Sequence, residues 1–225
     1  ADPIGETWTA SIYDQAWIYQ ALRELAEMNR AANQSNTADR FEQTAVQIKD
    51  ATNRLLWMPD KGYYRIHLHL TPLEHWFNED NIIAIGNAVA VYAGLTDDNQ
   101  NRLIMAALER ARVRGGSSKP GLSLDPPYHE AFFKHHLQYE SGRYQNGGQW
   151  DWWGGVQMTA EFEAGFSTLA WQHLDAVGRE WATHPNDIAE WQVPSTMSMQ
   201  GSHQYTGAAG TCLLYTSDAA DEGLG

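Results

Sequence analysis

Cysteine is almost absent from the 225-residue sequence, in which Cys212 is the only one. A single thiol forms no disulfide within the chain and supplies no cysteine-based zinc site. Cys212 also lies in the atypical segment "CLLYTSDAADE" near the end of the sequence. We therefore expect no thiol catalysis and no disulfide framework.

Positive charge and long apolar runs are scarce as well. Fifteen Lys and Arg stand against 28 Asp and Glu, which leaves a formal net charge of −13 with no basic run. This balance argues against nucleic acid or an anionic membrane as a partner. No apolar run approaches the roughly 20 residues of a membrane span, so we expect a soluble protein of the bacterial cytoplasm or periplasm.

What the sequence does contain is helical periodicity. Apolar residues such as Ile12, Ala16 and Tyr19 recur every three or four positions, which is typical of an amphipathic helix. Alternating valine-rich strands are not found, so the sequence predicts an all-α fold of paired helices joined by unequal loops. The predicted helices are residues 12–28, a second to residue 55 capped by Ser35 or Thr37, 81–92, a fourth to about residue 112, 153–164 and 167–181.

One predicted loop, "YQNGGQWDWWGG" (residues 144–155), combines glycines with tryptophans. Glycine packs poorly inside a core strand, so this composition favours a loop. Flat aromatic faces beside Asn146, Gln149 and Asp151 suit a sugar ring, whose hydroxyls need partners. The alternative is an aromatic corner that covers a hydrophobic core.

Several motifs together resemble one superfamily. "YDQAWIYQALRELAE", "LLWMPDKGYY", "WFNEDNIIAIGNAVAVYAGL", "YQNGGQWDWWGG" and "AEWQVPSTMSMQGSHQYTGAAG" are similar to six-hairpin (α/α)6-barrel glycosidases, such as neutral invertases, amylo-1,6-glucosidases, trehalases and mannosyl-oligosaccharide glucosidases. The resemblance implies that residues 1–211 are part of one (α/α)6-barrel catalytic domain, truncated at both ends. Residues 212–225 resemble a translated sequencing adapter, and we expect an artefactual or disordered tail.

The resemblance also implies a function. Such enzymes hydrolyse glycosides by general acid and base catalysis, mostly with inversion, so we expect a carbohydrate substrate and no cofactor. The equivalent of the "YQNGG" loop touches sugar at the barrel mouth in this superfamily. The predicted sugar contacts are Tyr144, Asn146, Gly147, Gly148, Trp150, Trp153, Trp191, Gln204 and Tyr205.

Glycoside hydrolysis needs two carboxyl groups. Glu190 in "IAEWQVP" matches an acidic position of the superfamily and is the predicted general base. Asp2 stands near the place of the family's general acid, just before the first helix. Asp151, between two tryptophans, is a substitute acid if burial keeps it protonated, or else a ligand of a sugar hydroxyl.

Other acidic residues have weaker assignments. Glu79 and Asp80 stand at a predicted helix start, where acids are either N-caps or substrate ligands. Glu161 and Glu163 alternate on a helix, so at most one faces the barrel, and structural or solvated roles are the safer interpretation.

The histidines do not predict a metal site. His67 and His69 in "HLH", and His135 with His136, lack the helical HExxH arrangement or a matched third ligand. Loop Asp and Asn residues leave calcium open, although no EF-hand pattern is present.

Two other classes of function stay open. The same barrel serves sugar epimerases and polysaccharide lyases, and His129, His184 and His203 all lie in predicted loops. The third class is a non-catalytic carbohydrate-binding or scaffold domain. The negative net charge counts against an anionic lyase substrate.

Overall fold

A computed structural model of the protein describes residues 8–71, 77–133 and 135–208. The fold is all-α, as predicted, and it contains six α-helices within these residues. They are α1 (Ile12–Ala31), α2 (Ser35–Leu55), α3 (Gly86–Tyr92), α4 (Asp98–Arg114), α5 (Asp151–Glu163) and α6 (Ser167–Thr183). Asp2 and the predicted tail at 212–225 lie outside the described residues.

The helices form three hairpins. Helix α1 packs along α2, α3 contacts α4, and α5 contacts α6. Helix α3 also packs between α1 and α5, so these three helices form an inner row and their hairpin partners form an outer one. Alternation of inner and outer helices is the arrangement of an (α/α) toroid, of which three hairpins make half.

The first hairpin follows the predicted periodicity closely. The Ser11 hydroxyl accepts a hydrogen bond from the Asp14 backbone and caps α1, and the buried face includes Ile12, Ala16 and Tyr19. The predicted cap of α2 is wrong, because Gln34 occupies the N-cap position without a side-chain bond and Ser35 is already helical.

The predicted helix 81–92 is shorter in the structure. Glu79–Asn81 form a single 3-10 turn, a strand follows, and α3 starts only at Gly86. The apolar Ile82 and Ile83 that suggested a helix are buried beside this strand instead. The strand pairs with a segment about 40 residues further on, and such a partner is not visible in local periodicity.

Short antiparallel strand pairs, which the sequence did not predict, organise the loops. The strands are β1 (Thr9–Ser11), β2 (Trp57–Met58), β3 (Tyr63–Tyr64), β4 (His67–His69), β5 (Ile83–Ala84), β6 (Leu124–Asp125), β7 (Trp191–Val193) and β8 (Ser198–Gln200). The pairs are β1 with β4, β2 with β3, β5 with β6, and β7 with β8.

These pairs gather the long loops at the end of the domain where α1, α3 and α5 begin. The core beneath them includes Val89 and Ala160 of the inner helices, Ile104 of α4 and Leu95 of the loop between α3 and α4, all completely buried. Among the described residues, none of the helices has both the length and the apolar character needed to cross a bilayer.

Candidate active site

Backbone hydrogen bonds join three loops into one layer above the inner helices. The Ser123 carbonyl accepts from Ile85 N, and Ser123 N donates to the Gly148 carbonyl, each at 2.9 Å. Gln149 and Gln192 exchange both backbone hydrogen bonds. The glycine-rich loop is therefore attached on one side to the segment before α3 and on the other to β7.

Glu190 lies directly before β7 and is fixed by the β7–β8 hairpin. Its backbone N donates to the Ser202 carbonyl at 2.9 Å, and its Oε2 accepts from Ser202 N at 3.0 Å. Gly201 lies behind the carboxylate in a left-handed conformation, with φ of +72°. A Cβ on this glycine would lie 2.6 Å from Glu190 Oε2, so only glycine permits the observed carboxylate position.

A cavity of about 200 Å³ opens beside the Glu190 carboxylate. It combines acidic, cationic and aromatic groups, and it brings together the predicted residues Glu190, Tyr144 and Trp191. The lining residues are His136, Leu137, Glu140, Arg143, Tyr144, Glu190, Trp191, Gln200 and Gly201. We call this cavity the Glu190 cleft.

The Tyr144 side chain links the glycine-rich loop to this cleft. Its ring makes edge contacts with Trp150 and Trp191, with centroids 5.0 Å and 6.1 Å away. Burial, followed by the electrostatic influence of Glu190 and of Tyr205, raises the pKa of the Tyr144 phenol above its ordinary value. The phenol is therefore protonated at neutral pH and available as a hydrogen-bond donor.

Asn146, a predicted sugar contact, has a different environment. Its side chain is buried, accepts from Tyr128 N at 2.8 Å, and donates to the Tyr128 and Gln138 carbonyls at 3.2 Å each. The amide uses these bonds to close the loop onto the preceding segment. The observed role of Asn146 is to fix the loop, and its predicted contact with sugar stays a prediction.

The two loop glycines are also buried within the protein. A Cβ on Gly148 would lie 2.3 Å from the Tyr144 carbonyl oxygen, and one on Gly147 would touch Pro127. The close approach of backbone segments explains why glycine is needed here. Both residues shape the loop rather than present groups to the cleft.

The tryptophans of the loop are mostly buried. Trp150 donates its Nε1 hydrogen to the Tyr144 carbonyl at 3.1 Å and packs against Trp153 with ring centroids 5.2 Å apart. Trp153 also meets Tyr13 of α1. Trp150 thus packs as part of the hydrophobic core, and its sugar contact stays a prediction. The buried Trp153 Nε1 has no hydrogen-bond partner among the described residues.

Asp151 begins α5 and forms a buried ion pair. Its Oδ1 lies 2.6 Å from Nζ of Lys119, whose side chain is 0% exposed, and its Oδ2 accepts from Trp181 Nε1 at 2.7 Å. Lys119 Nζ also lies 2.6 Å from Glu180 Oε2. Both carboxylate oxygens of Asp151 therefore have partners within the protein, and its role as a substitute acid or sugar ligand stays a prediction.

The segment after β8 contributes two further predicted contacts. Tyr205 is half-buried and close enough to raise the pKa of Tyr144, which places it near the Glu190 cleft. Gln204 is exposed, and its backbone N donates to Asp187 Oδ1 at 3.2 Å.

Glu79 and Asp80 separate in the structure. Asp80 pairs with Arg65 at 3.3 Å, whereas Glu79 meets His67, His69 and Tyr128. Burial opposes ionisation of Glu79, but hydrogen bonds from His67, Tyr128 and His69 hold the pKa of this carboxyl well below its ordinary value. The structure therefore places Glu79 beside the two histidines of the "HLH" motif, a partner that the sequence did not indicate.

Glu161 has a structural environment, in line with the safer interpretation. Its side chain is completely buried, and both carboxylate oxygens contact His173 Nδ1, at 3.0 and 2.9 Å. His173 Nε2 lies 3.2 Å from Glu109, which is bound in turn by Arg112. This cluster ties α5 to α6 and α4.

Sequence reasoning missed three groups of residues. His136, Glu140 and Arg143 of the cleft lie in an irregular stretch with no recognisable motif. The buried lysine, Lys119, lies in "GGSSKPG", a composition that predicts an exposed loop. The spacing of His67 and His69 is compatible with two side chains on one face of a strand, but no pattern in the sequence indicates that Glu79 lies beside them.

The three hairpins and the layer of loops define a protein of the (α/α) toroid class. The chain belongs to the trehalase family, since the family model described as Trehalase matches residues 10–125, more than half of the chain. This match ends before the glycine-rich loop and Glu190. No curated protein matches the chain significantly in sequence.

Solved structures of low sequence identity share the fold. A GH63 mannosylglycerate hydrolase from Thermus thermophilus, in complex with Tris, has a TM-score of 0.72 and 18% identity, covering 92% of this chain and 45% of that one. The complex of the same hydrolase with glucose has a TM-score of 0.70 and 17% identity, and the match covers 92% of this chain and 48% of that one. A sialidase structure has a TM-score of 0.64 and 12% identity, and the match covers 88% of this chain and 18% of that one. The chain thus spans less than half the length of these structures.

Proposed function

We propose that the protein is a glycoside hydrolase in which Glu190 acts as the general base. The observation that carries the proposal is the Glu190 carboxylate, held by Ser202 N at the edge of a cleft lined with aromatic and charged groups. Membership of the trehalase family supports the same chemistry.

The cleft suits a single sugar ring. Its volume of about 200 Å³ is below the ~300–1,000 Å³ of pockets for drug-sized ligands. Tyr144 and Trp191 offer aromatic surface, and Arg143 and Gln200 offer hydrogen-bonding groups to hydroxyls. The similar hydrolase structure that holds glucose is in keeping with a small sugar ligand.

Trp153 is the second proposed sugar contact. Its indole Nε1 is a buried donor at the start of α5, without a partner among the described residues. Buried polar groups are normally hydrogen-bonded, so a donor in this state fits a ligand that arrives later. Trp150 differs, because the Tyr144 carbonyl already accepts its Nε1 hydrogen.

In the proposed reaction, Glu190 removes a proton from a water molecule as the oxygen of that water attacks the anomeric carbon. A carboxylic acid protonates the leaving oxygen as the glycosidic bond breaks, which balances the proton that the base has taken up. Inversion requires a separation of roughly 6.5–9.5 Å between the two carboxyl groups. Asp2 is the proposed acid by the family resemblance, and it lies outside the described residues.

The deciding experiment compares the wild type with Glu190→Gln on a panel of α- and β-linked glycosides, following released sugar by NMR. We expect turnover to fall by at least about 10³-fold while sugar binding is retained, because an amide cannot accept the proton. The anomer first released distinguishes inversion from retention.

Glu140→Gln is the matched control. Glu140 lines the same cleft, but its carboxylate pairs with Arg143 at 2.5 Å and is 57% exposed. Equal turnover in wild type and Glu190→Gln would exclude Glu190 as the base. Binding without turnover in the wild type would favour a carbohydrate-binding domain, and isomerised or unsaturated products would favour an epimerase or a lyase.

A further inference from the structure

Three potential metal ligands converge where β4 meets the 3-10 turn before α3. His67 and His69 occupy alternate positions of β4, which pairs with β1, so their side chains project from the same face. The two Nε2 atoms lie 3.1 Å apart. Glu79 Oε2 lies 2.7 Å from His69 Nε2 and 3.3 Å from His67 Nε2.

These separations fit the ligand edges of one first-row metal ion. Zinc binds imidazole nitrogen and carboxylate oxygen at about 2.0–2.2 Å, and a tetrahedral arrangement at that radius places neighbouring ligand atoms about 3.3 Å apart. The observed triangle has sides of 2.7, 3.1 and 3.3 Å. A small contraction of the shortest side is what hydrogen bonding between the same groups would produce.

Hydrogen bonds from both histidines to Glu79 leave the contact between the two nitrogens unexplained. If both Nε2 atoms of His67 and His69 carry hydrogens, two donors face each other across 3.1 Å. If only one Nε2 atom carries a hydrogen, that hydrogen is shared among His67 Nε2, His69 Nε2 and Glu79 Oε2. A divalent cation accepts lone pairs from all three atoms at once, and neutral imidazole is the form in which histidine binds metals.

The surroundings of Glu79 support a metal ligand. Tyr128 donates its hydroxyl hydrogen to Glu79 Oε1 at 2.7 Å, which leaves Oε2 directed at the histidines. Hydrogen-bonded outer groups of this kind orient metal-binding carboxylates. Tyr128 is itself held by ring contacts with Phe77, Phe132 and Phe133 at 4.9–5.3 Å.

We propose that His67 Nε2, His69 Nε2 and Glu79 Oε2 bind a divalent first-row cation, with zinc as the best match to two imidazoles and one carboxylate. The ion would fasten the β1–β4 pair to the 3-10 turn and so stabilise the loop between α2 and α3. None of the three proposed ligands lines the Glu190 cleft, so metal binding can be tested separately from the proposed hydrolysis.

The test titrates the 225-residue chain, stripped with a chelator, with Zn²⁺ by isothermal calorimetry and with Co²⁺ by visible absorption. We expect saturation at one ion per chain and Co²⁺ bands of a site with nitrogen and oxygen ligands. Tyr128→Phe should weaken binding by about 10–100-fold, since it removes the outer hydrogen bond of the carboxylate.

His67→Ala/His69→Ala should lose the site, and His135→Ala/His136→Ala is the matched control that removes two exposed neighbouring histidines instead. Glu79→Gln, which keeps the shape of the side chain, covers the case in which the double variant fails to fold by circular dichroism. Absence of saturable binding in the wild type would overturn the proposal. Unchanged affinity in Glu79→Gln, or loss of binding only in the control, would overturn it as well.

Discussion

Gln149 and Gln192 exchange both backbone hydrogen bonds, with N···O distances of 3.0 and 2.8 Å. This link sets the glycine-rich loop beside β7, and thereby sets Tyr144 beside the Glu190 carboxylate. Two segments more than 40 residues apart thus form one cleft, and the position of each depends on the other. The predictions on activity below depend on this relationship.

Gly201→Ala should impair turnover through Glu190. The new methyl would lie 2.6 Å from Oε2 and must displace the carboxylate. We expect kcat to fall by about tenfold or more with KM little changed, equivalent to at least ~1.4 kcal/mol in the barrier. Steady-state kinetics on the best glycoside of the panel measure both constants.

Gly165→Ala is the control for Gly201→Ala. Gly165 also has a left-handed φ, +82°, but a Cβ there meets nothing within 4 Å. Both substitutions carry a similar backbone strain of about 1–2 kcal/mol. If Gly165→Ala lowers kcat as much as Gly201→Ala, the effect is one of strain and the contact with Glu190 is irrelevant.

Trp153→Phe should mainly affect sugar binding, and Trp150→Phe should mainly affect stability. Trp153→Phe removes a buried donor without a partner among the described residues, so we expect weaker sugar binding, by about 2–10-fold, with stability little changed. Trp150→Phe removes the bond to the Tyr144 carbonyl and should mainly lower the free energy of unfolding. Calorimetric sugar titration and urea unfolding of both variants separate the two effects, and identical behaviour would remove Trp153 from the proposed site.

The helices could be predicted from sequence because their signals are local. Periodicity placed the start of α1 and the extent of α2, α4, α5 and α6 to within a few residues, although the predicted cap of α2 was wrong. The residues before α3 resisted prediction because β5 pairs with β6, far along the chain. Apolar composition alone does not distinguish a short buried strand from a helix.

The candidate site could be predicted only where a motif carried it. Glu190 and Tyr144 were found through loops that resemble known ones, and the structure places both in the same cleft. The loop-closing hydrogen bonds of Asn146 were not foreseen, because an amide that fixes a loop gives the same composition signal as one that binds sugar. The partnership of Lys119 with Asp151 depends on a chain path that no local pattern specifies.

Lys119→Met should strongly destabilise the protein. Lys119 is completely buried between Asp151 and Glu180, and its removal leaves two carboxylates without their shared cation. Breaking a buried ion pair from one side costs about 3–5 kcal/mol. Arg179→Met, which removes an exposed partner of Asp175, should change stability far less, because solvent screens an exposed ion pair. Urea unfolding measures both, and equal losses would show that the buried network contributes little.

Stability should fall with acid partly through Glu109. Hydrogen bonds from Arg112 hold the pKa of this carboxyl below its ordinary value. Burial opposes this shift, and the charges of Arg112 and His173 add to it. A lowered pKa in the folded state means that Glu109 contributes stability above the pKa it has when unfolded, about 4.3. That contribution is lost as the pH falls through the lower folded value.

Glu109→Gln removes this titration while retaining the shape of the side chain. We therefore expect the variant to be less stable than the wild type at pH 7, and the difference to narrow as the pH is lowered below about 4. Chemical unfolding at a series of pH values gives the two curves. Parallel curves across this range would show that ionised Glu109 is not favoured by its partners, and would assign the effect of the substitution to packing alone.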